Sequence, residues 1–203
     1  MNIDILFLDN ELTDYEQFFD KNQFEEYCET HSFTGKQNQI LSVPPSFSKD
    51  LNPTFLVGTG ENNDDINLYD IVISIGSKIE SDAEINFLNI DDDTNLIIDG
   101  ILYAQYKFDD YKSGDSSSKN TISFKDIEST ENEINKDSVF WVRDLINTPA
   151  LDKSPEVFID KVNELVDSSM VDVQIYDKKW LEENTFGGVL GVGKGSDRPP
   201  YFL

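Results

Sequence analysis

The 203-residue sequence predicts an α/β fold. Two observations carry that prediction: β-like apolar runs alternate with segments of helical periodicity, and caps and prolines punctuate the helices. At roughly 150 residues per domain, the length allows one large domain or one and a half. With 38% apolar and 12% aromatic residues, including 14 Phe and 8 Tyr, the chain can bury a core, which argues against disorder despite its charge.

Ile3, Ile5 and Phe7 alternate with Asp4 and Leu6, the pattern of a short strand. Thr13-Asp14-Tyr15-Glu16 has capping-box spacing and predicts a helix start, with Tyr15, Phe18, Phe19, Tyr27 and Cys28 near one face. Residues 55–59 and 69–74 read as buried strands, the second rich in β-branched side chains, with GTGENNDD as a turn between them. Residues 96–108 read as a central helix, with Ile97, Ile101, Ala104 and Phe108 at helical spacing. Gly100 within it costs about 1 kcal/mol against alanine, which predicts a close backbone approach. KSGDSSSKN, residues 112–120, is a surface loop.

A second helix is predicted over residues 132–147, with Ile134, Val139, Val142 and Leu145 inward and Pro149 ending it. Ser154-Pro155-Glu156 combines an N-cap, a proline at the first helical position and an acid near the positive dipole end. Phe158, Val162, Leu165 and Val166 supply the stripe of that helix. Residues 171–176 read as a strand, 178–183 as a short helix, and 187 onward as a further strand region.

Sixteen basic against 40 acidic residues give a formal charge of -24, which repels nucleic-acid phosphates and anionic lipid heads. Neither nucleic acid nor membrane is therefore an expected partner, and the acidity itself serves solubility. Cys28, the only cysteine, rules out an intrachain disulfide and fits a reducing compartment. The N-terminus carries neither a basic n-region nor a clean apolar run, and no segment approaches the ~20 apolar residues of a membrane span. A cytoplasmic location is the expectation.

Chemistry-bearing patterns mostly fail on inspection. Gly188, Gly193 and Lys194 fit a phosphate-binding loop, but Gly195 stands where the hydroxyl belongs, and Pro199 and Pro200 preclude the required helix. The dinucleotide pattern fails at Ser196. Asp91-Asp92-Asp93-Thr94-Asn95 resembles the opening of a calcium loop, yet Leu96 and Leu102 occupy the glycine and glutamate positions. Those carboxylates are better placed to stabilise the helix that follows. His31 is the sole histidine, so a two-histidine metal site is excluded, and Cys28 among aromatics is a packing residue.

Three segments resemble the leucine aminopeptidase (cytosol aminopeptidase) family of metallopeptidases. Residues 100–112, GILYAQYKFDDYK, are similar to the family's helix ending in Tyr-x-Phe-Asp-x-Tyr-Lys. Arg143-Asp144-Leu145-Ile146-Asn147-Thr148-Pro149-Ala150 resembles its Arg-Asp-Leu-Val-Asn-Thr-Pro-Ala junction. Residues 191–200, GVGKGSDRPP, are close to its Gly-Val-Gly-x-Gly-Ser-x-Arg-Pro-Pro. The likeness is loose over residues 69–203 and good over 143–203. Leu151 and Tyr201 depart from the usual asparagine and basic residue.

The resemblance implies a macro-domain-like N-terminal α/β domain over residues 1–130 and a linking helix over 131–150. An incomplete start of an α/β metallopeptidase catalytic domain over 151–203 would follow. It further implies a parent that removes N-terminal residues, often leucine, from peptides with two divalent metal ions, manganese or zinc. Such parents are typically homohexamers. In the family the metal ligands and the bicarbonate-binding arginine follow the Arg-Pro-Pro segment, so this span is expected to bind no metal and to be inactive alone. No catalytic, metal-binding or substrate-binding residue is assigned within it, and Lys194 is distinct from the family's ligating lysine. Arg143 either pairs with a carboxylate across the crossing bracketed by Pro149 and Pro155 or lies exposed on an amphipathic helix; Arg198 reads as structural. The alternative function is a non-catalytic macro-like binding or oligomer-assembly module, which calorimetry with ADP-ribose would reveal.

Overall fold

The computed structural model describes residues 1–60, 68–89, 94–113, 120–166 and 170–203. These divide into two compact units, Met1–Trp141 and Val142–Leu203. The first is built on a five-stranded mixed sheet. In chain order its elements are β1 (Asn2–Asp9), α1 (Lys21–Thr30), β2 (Ile40–Val43), a 3₁₀ turn (Pro45–Phe47), β3 (Thr54–Gly60) and α2 (Leu68–Gly76). Then come β4 (Ala83–Phe87), α3 (Asn95–Tyr103), β5 (Ile122–Phe124) and the start of α4 (Thr130–Asn147).

The strands lie in the order β2-β3-β1-β4-β5. β1 pairs in parallel with both β3 and β4, β4 with β5, and only β2 runs antiparallel, against β3. Strand alternation sends Ile3, Ile5 and Phe7 into one core cluster with residues of α2 and α3, and Leu6 and Leu8 into another with Phe24 and Cys28 of α1. Helices thus cover both faces of a parallel centre, so the α/β prediction holds. The connection from β1 to β3 moves one way along the sheet and those to β4 and β5 the other, so right-handed crossovers put α1 opposite α2 and α3.

A buried carboxylate ties the middle strands together. Asp4 is 1% exposed; its Oδ1 accepts from Asn86 Nδ2 at 3.1 Å and its Oδ2 from Asn52 Nδ2 at 3.2 Å, across β4 and the approach to β3. Asp4→Ala removes both acceptors and strands two amides, at a cost of about 1–3 kcal/mol. The urea midpoint is expected to fall accordingly with an unchanged denaturant slope.

Several local expectations are corrected. No helix starts at Thr13: Asp14 sits at φ 66, and α1 begins at Lys21 under Asp20, whose side chain accepts from Gln23 N at 3.2 Å. The left-handed residue breaks the turn that the capping box would have opened. Tyr15 and Phe19 nevertheless join Phe24 and Cys28 in one cluster, with Tyr15 stacked on Phe24 at 4.0 Å. The run predicted as a strand over 69–74 is helix α2, with Ile71, Val72 and Ile75 all buried. A helix enclosed between sheet and neighbour is apolar nearly all round, so β-branched content misreads it as a buried strand. A close approach is also made at Gly76 of α2, where an added Cβ would lie 2.8 Å from the Ile101 carbonyl oxygen of α3.

The central helix α3 stops at Tyr103, so Phe108 lies beyond it, while Ile97 and Ile101 are fully buried as predicted. In α4, Leu145 is buried, but Ile134 and Val142 are exposed; the polar Asn132 is the buried residue instead, donating to Asp99 Oδ1 at 2.9 Å. In the second unit, the Ser154 cap is realised at the start of α5 (Pro155–Leu165), although Leu165 is exposed and Ile159 is the buried residue. Residues 171–175 form no strand, and Tyr176 makes an isolated antiparallel bridge to Phe202. The short helix α6 (Lys178–Glu183) is as expected. The glycine segment predicted as a strand forms α7 (Gly187–Gly193). Most of GTGENNDD and KSGDSSSKN, and the Asp91–Asp93 run, lie outside the described residues.

Candidate functional site

The two motif-bearing segments of the second unit are held by local chemistry. After α4, the Pro149 carbonyl accepts from Asp152 N at 3.0 Å and Lys153 N at 3.1 Å, and the Lys153 ammonium donates to the Leu145 carbonyl at the helix C-terminus. Thr148 Oγ1 donates to the Asp144 carbonyl. These bonds satisfy carbonyls that a helix end leaves open. The turn leads into α5, where buried Ser154 accepts from Val157 N at 3.3 Å and Pro155 takes the first helical position.

Glu156 follows at the positive end of α5. Its own backbone N–H, the Ser154 hydroxyl and the nearby Arg198 charge hold its carboxyl below the ordinary glutamate value. Being depressed, that pKa gives a stabilising contribution present above pH 4.5 and lost as the pH falls through the native value. It links the Ser-Pro-Glu start electrostatically to the Arg-Pro-Pro segment. Arg198 itself is exposed, its N–H donating to Ser196 Oγ at 3.0 Å.

The glycine segment does not build a phosphate cradle. Lys194 stands at the C-terminal end of α7, where the helix dipole is negative, one helix length from the N-terminal amides that would meet an anion. A Cβ at Gly193 would lie 3.1 Å from the Pro200 side chain, so the Arg-Pro-Pro segment folds back against the end of α7. Pro199, Pro200 and Tyr201 form an apolar depression of about 520 Å³ with Val189, Val192 and Pro155. In the same unit, Tyr176, Trp180, Phe186 and Phe202 form a chain of ring contacts with centroids 4.0 to 6.3 Å apart, and Leu181 is fully buried.

Among the described residues, no group of three or more His, Cys, Asp or Glu side chains could hold a metal ion. The described residues therefore do not fit a two-metal hydrolytic centre. His31 is exposed, its ring on Tyr27 at 4.2 Å and its Nδ1 2.9 Å from the Tyr27 carbonyl. Cys28 is buried among aromatics, and burial pushes its thiol up to about 11. Burial and the hydrogen bond to Glu25 push Tyr15 up to about 12.

Both raised groups stay protonated in the folded chain where the unfolded chain ionises. Their contribution is complete below about pH 8.5 and is lost as the pH rises toward 11 and 12. The denaturant midpoint is expected to fall between pH 8 and 11, less steeply in Cys28→Ala. Cys28 should react with a disulfide reagent at pH 8 only once the chain is unfolded.

Comparison with known proteins supplies the remaining evidence. The catalytic domain of the cytosol aminopeptidase family matches residues 140–203. A probable cytosol aminopeptidase of Rickettsia bellii is 26% identical over 220 residues, covering 95% of this chain and 43% of the relative. One from Clavibacter michiganensis is 48% identical over 63 residues, 31% of this chain and 12% of the relative. The human cytosol aminopeptidase is 30% identical over 141 residues, 64% of this chain and 27% of that protein. The chain thus spans less than half the length of these relatives. A solved cytosol aminopeptidase from Coxiella burnetii superposes with a TM-score of 0.72 at 21% identity, over 99% of this chain and 43% of its own. The bottromycin maturation enzyme BotP in complex with Mn gives 0.73 at 17% identity, over 98% and 43%. Motifs, fold and relatives agree: residues 140–203 match the catalytic domain of the cytosol (leucine) aminopeptidase family, and the chain is similar to the N-terminal portion of that family's larger members.

Proposed function

We propose that the chain is the framework portion of a metal-dependent leucyl aminopeptidase that removes N-terminal residues from peptides, with its metal ligands and catalytic groups outside residues 1–203. The observation that carries this reading is a pairing: residues 140–203 match the family's catalytic domain, yet the described residues gather no metal-binding cluster. Residues 1–130 form the macro-like domain, 131–150 the linking helix and 151–203 the start of the catalytic domain. The parent uses two divalent ions, manganese or zinc, and the manganese bound to the related maturation enzyme supports that choice. It works as a homohexamer in the cytoplasm on peptide substrates. Among the described residues no helix is long and apolar enough to cross a membrane.

A chimera tests the reading. Residues 1–203 replace the matched part of the C. burnetii protein, and a control chimera replaces only the part matching residues 142–203. Manganese-dependent hydrolysis of leucine p-nitroanilide by either chimera is the expected result. Two folded, assembled chimeras without turnover would contradict the reading.

A further inference from the structure

A groove on the first unit, remote in sequence from the family's catalytic-domain match, has the chemistry of a cation site. About 430 Å³ in volume, it lies between α1 and the 3₁₀ turn and is lined by Gln23, Glu26, Tyr27, Thr30, Ser46 and Phe47. The Tyr27 and Phe47 rings stand 4.6 Å apart at 51°, and His31 extends the aromatic strip at 4.2 Å from Tyr27. The Tyr27 hydroxyl donates to the Ser42 carbonyl at 3.0 Å, which fixes its ring. Such a pair of faces attracts a cation, most strongly when a carboxylate stands beside it.

That carboxylate is Glu26, which is exposed and makes no ion pair or hydrogen bond among the described residues. No basic side chain lines the groove. The nearest lysines in sequence are engaged elsewhere: Lys21 pairs with Glu16 Oε1 at 3.4 Å, and Lys49 Nζ donates to the Glu16 carbonyl at 2.6 Å. The chain carries a formal charge of -24, so its field favours a cationic visitor.

We propose that this groove binds the guanidinium of an arginine in a peptide partner. A planar guanidinium stacks on one ring of this tilted pair while its forked donors reach Glu26 and the Thr30 and Ser46 hydroxyls; a compact ammonium cannot do both. The proposal is independent of the aminopeptidase reading.

The test is an amide NMR titration of the 203-residue chain at pH 7.5 and 0.15 M salt, which screens the general acidic surface. The probe is acetyl-Gly-Arg-Gly-amide, with the citrulline peptide as its neutral counterpart. Saturable shifts confined to residues 23–31 and 45–48 are expected. Binding should weaken at least five-fold in Glu26→Gln and in Phe47→Leu, and at least ten-fold for citrulline. Absent or non-saturating shifts spread over the acidic surface, equal binding of the citrulline peptide, or unchanged affinity in a folded Glu26→Gln would each overturn it.

Discussion

Gly58→Ala is expected to lower the stability of the first unit by about 3 kcal/mol or more, a large share of the roughly 5–15 kcal/mol available to a domain. A Cβ built on Gly58 would sit 2.0 Å from the Lys36 carbonyl oxygen and 2.8 Å from the Gly35 carbonyl carbon. Backbone is what it meets, and backbone cannot rotate aside as the tip of a side chain can. The crossing is fixed from both sides: Gly58 N donates to the Gln39 carbonyl at 2.8 Å, and Gly60 N to the Gly35 carbonyl at 2.9 Å. Moving residues 35–39 to make room breaks those bonds and displaces Gly35, which at φ 67 already lies against the Asp9 carbonyl. Calorimetry should show a fall in Tm of about 6 °C or more, taking 2–4 °C per kcal/mol for a chain of this size. Gly191→Ala is the control. Its Cβ meets nothing within 4 Å inside α7, so replacing a helical glycine there should be neutral or stabilise by up to about 1 kcal/mol.

The same contrast between glycines explains what could be read from the sequence. Glycines in a motif announce that a side chain is absent, not what fills the space. Gly35 and Gly58 are required by a backbone crossing between residues far apart in sequence, which no local pattern encodes. Those at 187–193 lie in a helix although their composition reads as strand and turn, because packing and helical hydrogen bonding override a weak local preference. Residues 71–75 failed in the opposite direction: Ile71, Val72 and Ile75 are buried, and so short a run of β-branched apolar residues does not distinguish the helix α2 from a strand. The strands β2, β4 and β5, three to five residues each, are too short to show alternation and gave no signal. By contrast, β1 and β3, the Ser154 cap with Pro155 and the α6 helix were legible, since each rests on adjacent residues.

For the candidate site, the Arg-Asp-Leu-Ile-Asn-Thr-Pro-Ala and Gly-Val-Gly-Lys-Gly-Ser-Asp-Arg-Pro-Pro segments were legible as motifs, and they carried the resemblance to the family. Their arrangement was not. That Glu156 feels Arg198, or that Pro200 rests on Gly193, depends on the path of some 40 intervening residues in the first case and on the turn after α7 in the second. The aromatic groove beside Glu26 was likewise hidden, because Phe47 comes from a different element than Tyr27.

The second large prediction concerns activity. Metal-assisted hydrolysis needs cations that activate water and polarise the scissile carbonyl, and each must be gripped by several converging carboxylate, imidazole or amine groups. Carboxylates are plentiful in this chain, at 40 Asp and Glu, but abundance is not convergence: among the described residues none cluster in threes. Enzymes with such a centre exceed the uncatalysed rate by a factor on the order of 10⁶ or more, so its presence or absence is a difference of many decades rather than a graded one.

The direct measurement is hydrolysis of leucine p-nitroanilide by the purified 203-residue chain, titrated with manganese and with zinc. A rate equal to that of buffer and metal alone, from a preparation whose circular dichroism shows the folded sheet and helices, is the predicted result. Saturable, metal-dependent release of nitroaniline that co-elutes with the chain and disappears on chelation would contradict it, by placing a working metal centre within residues 1–203.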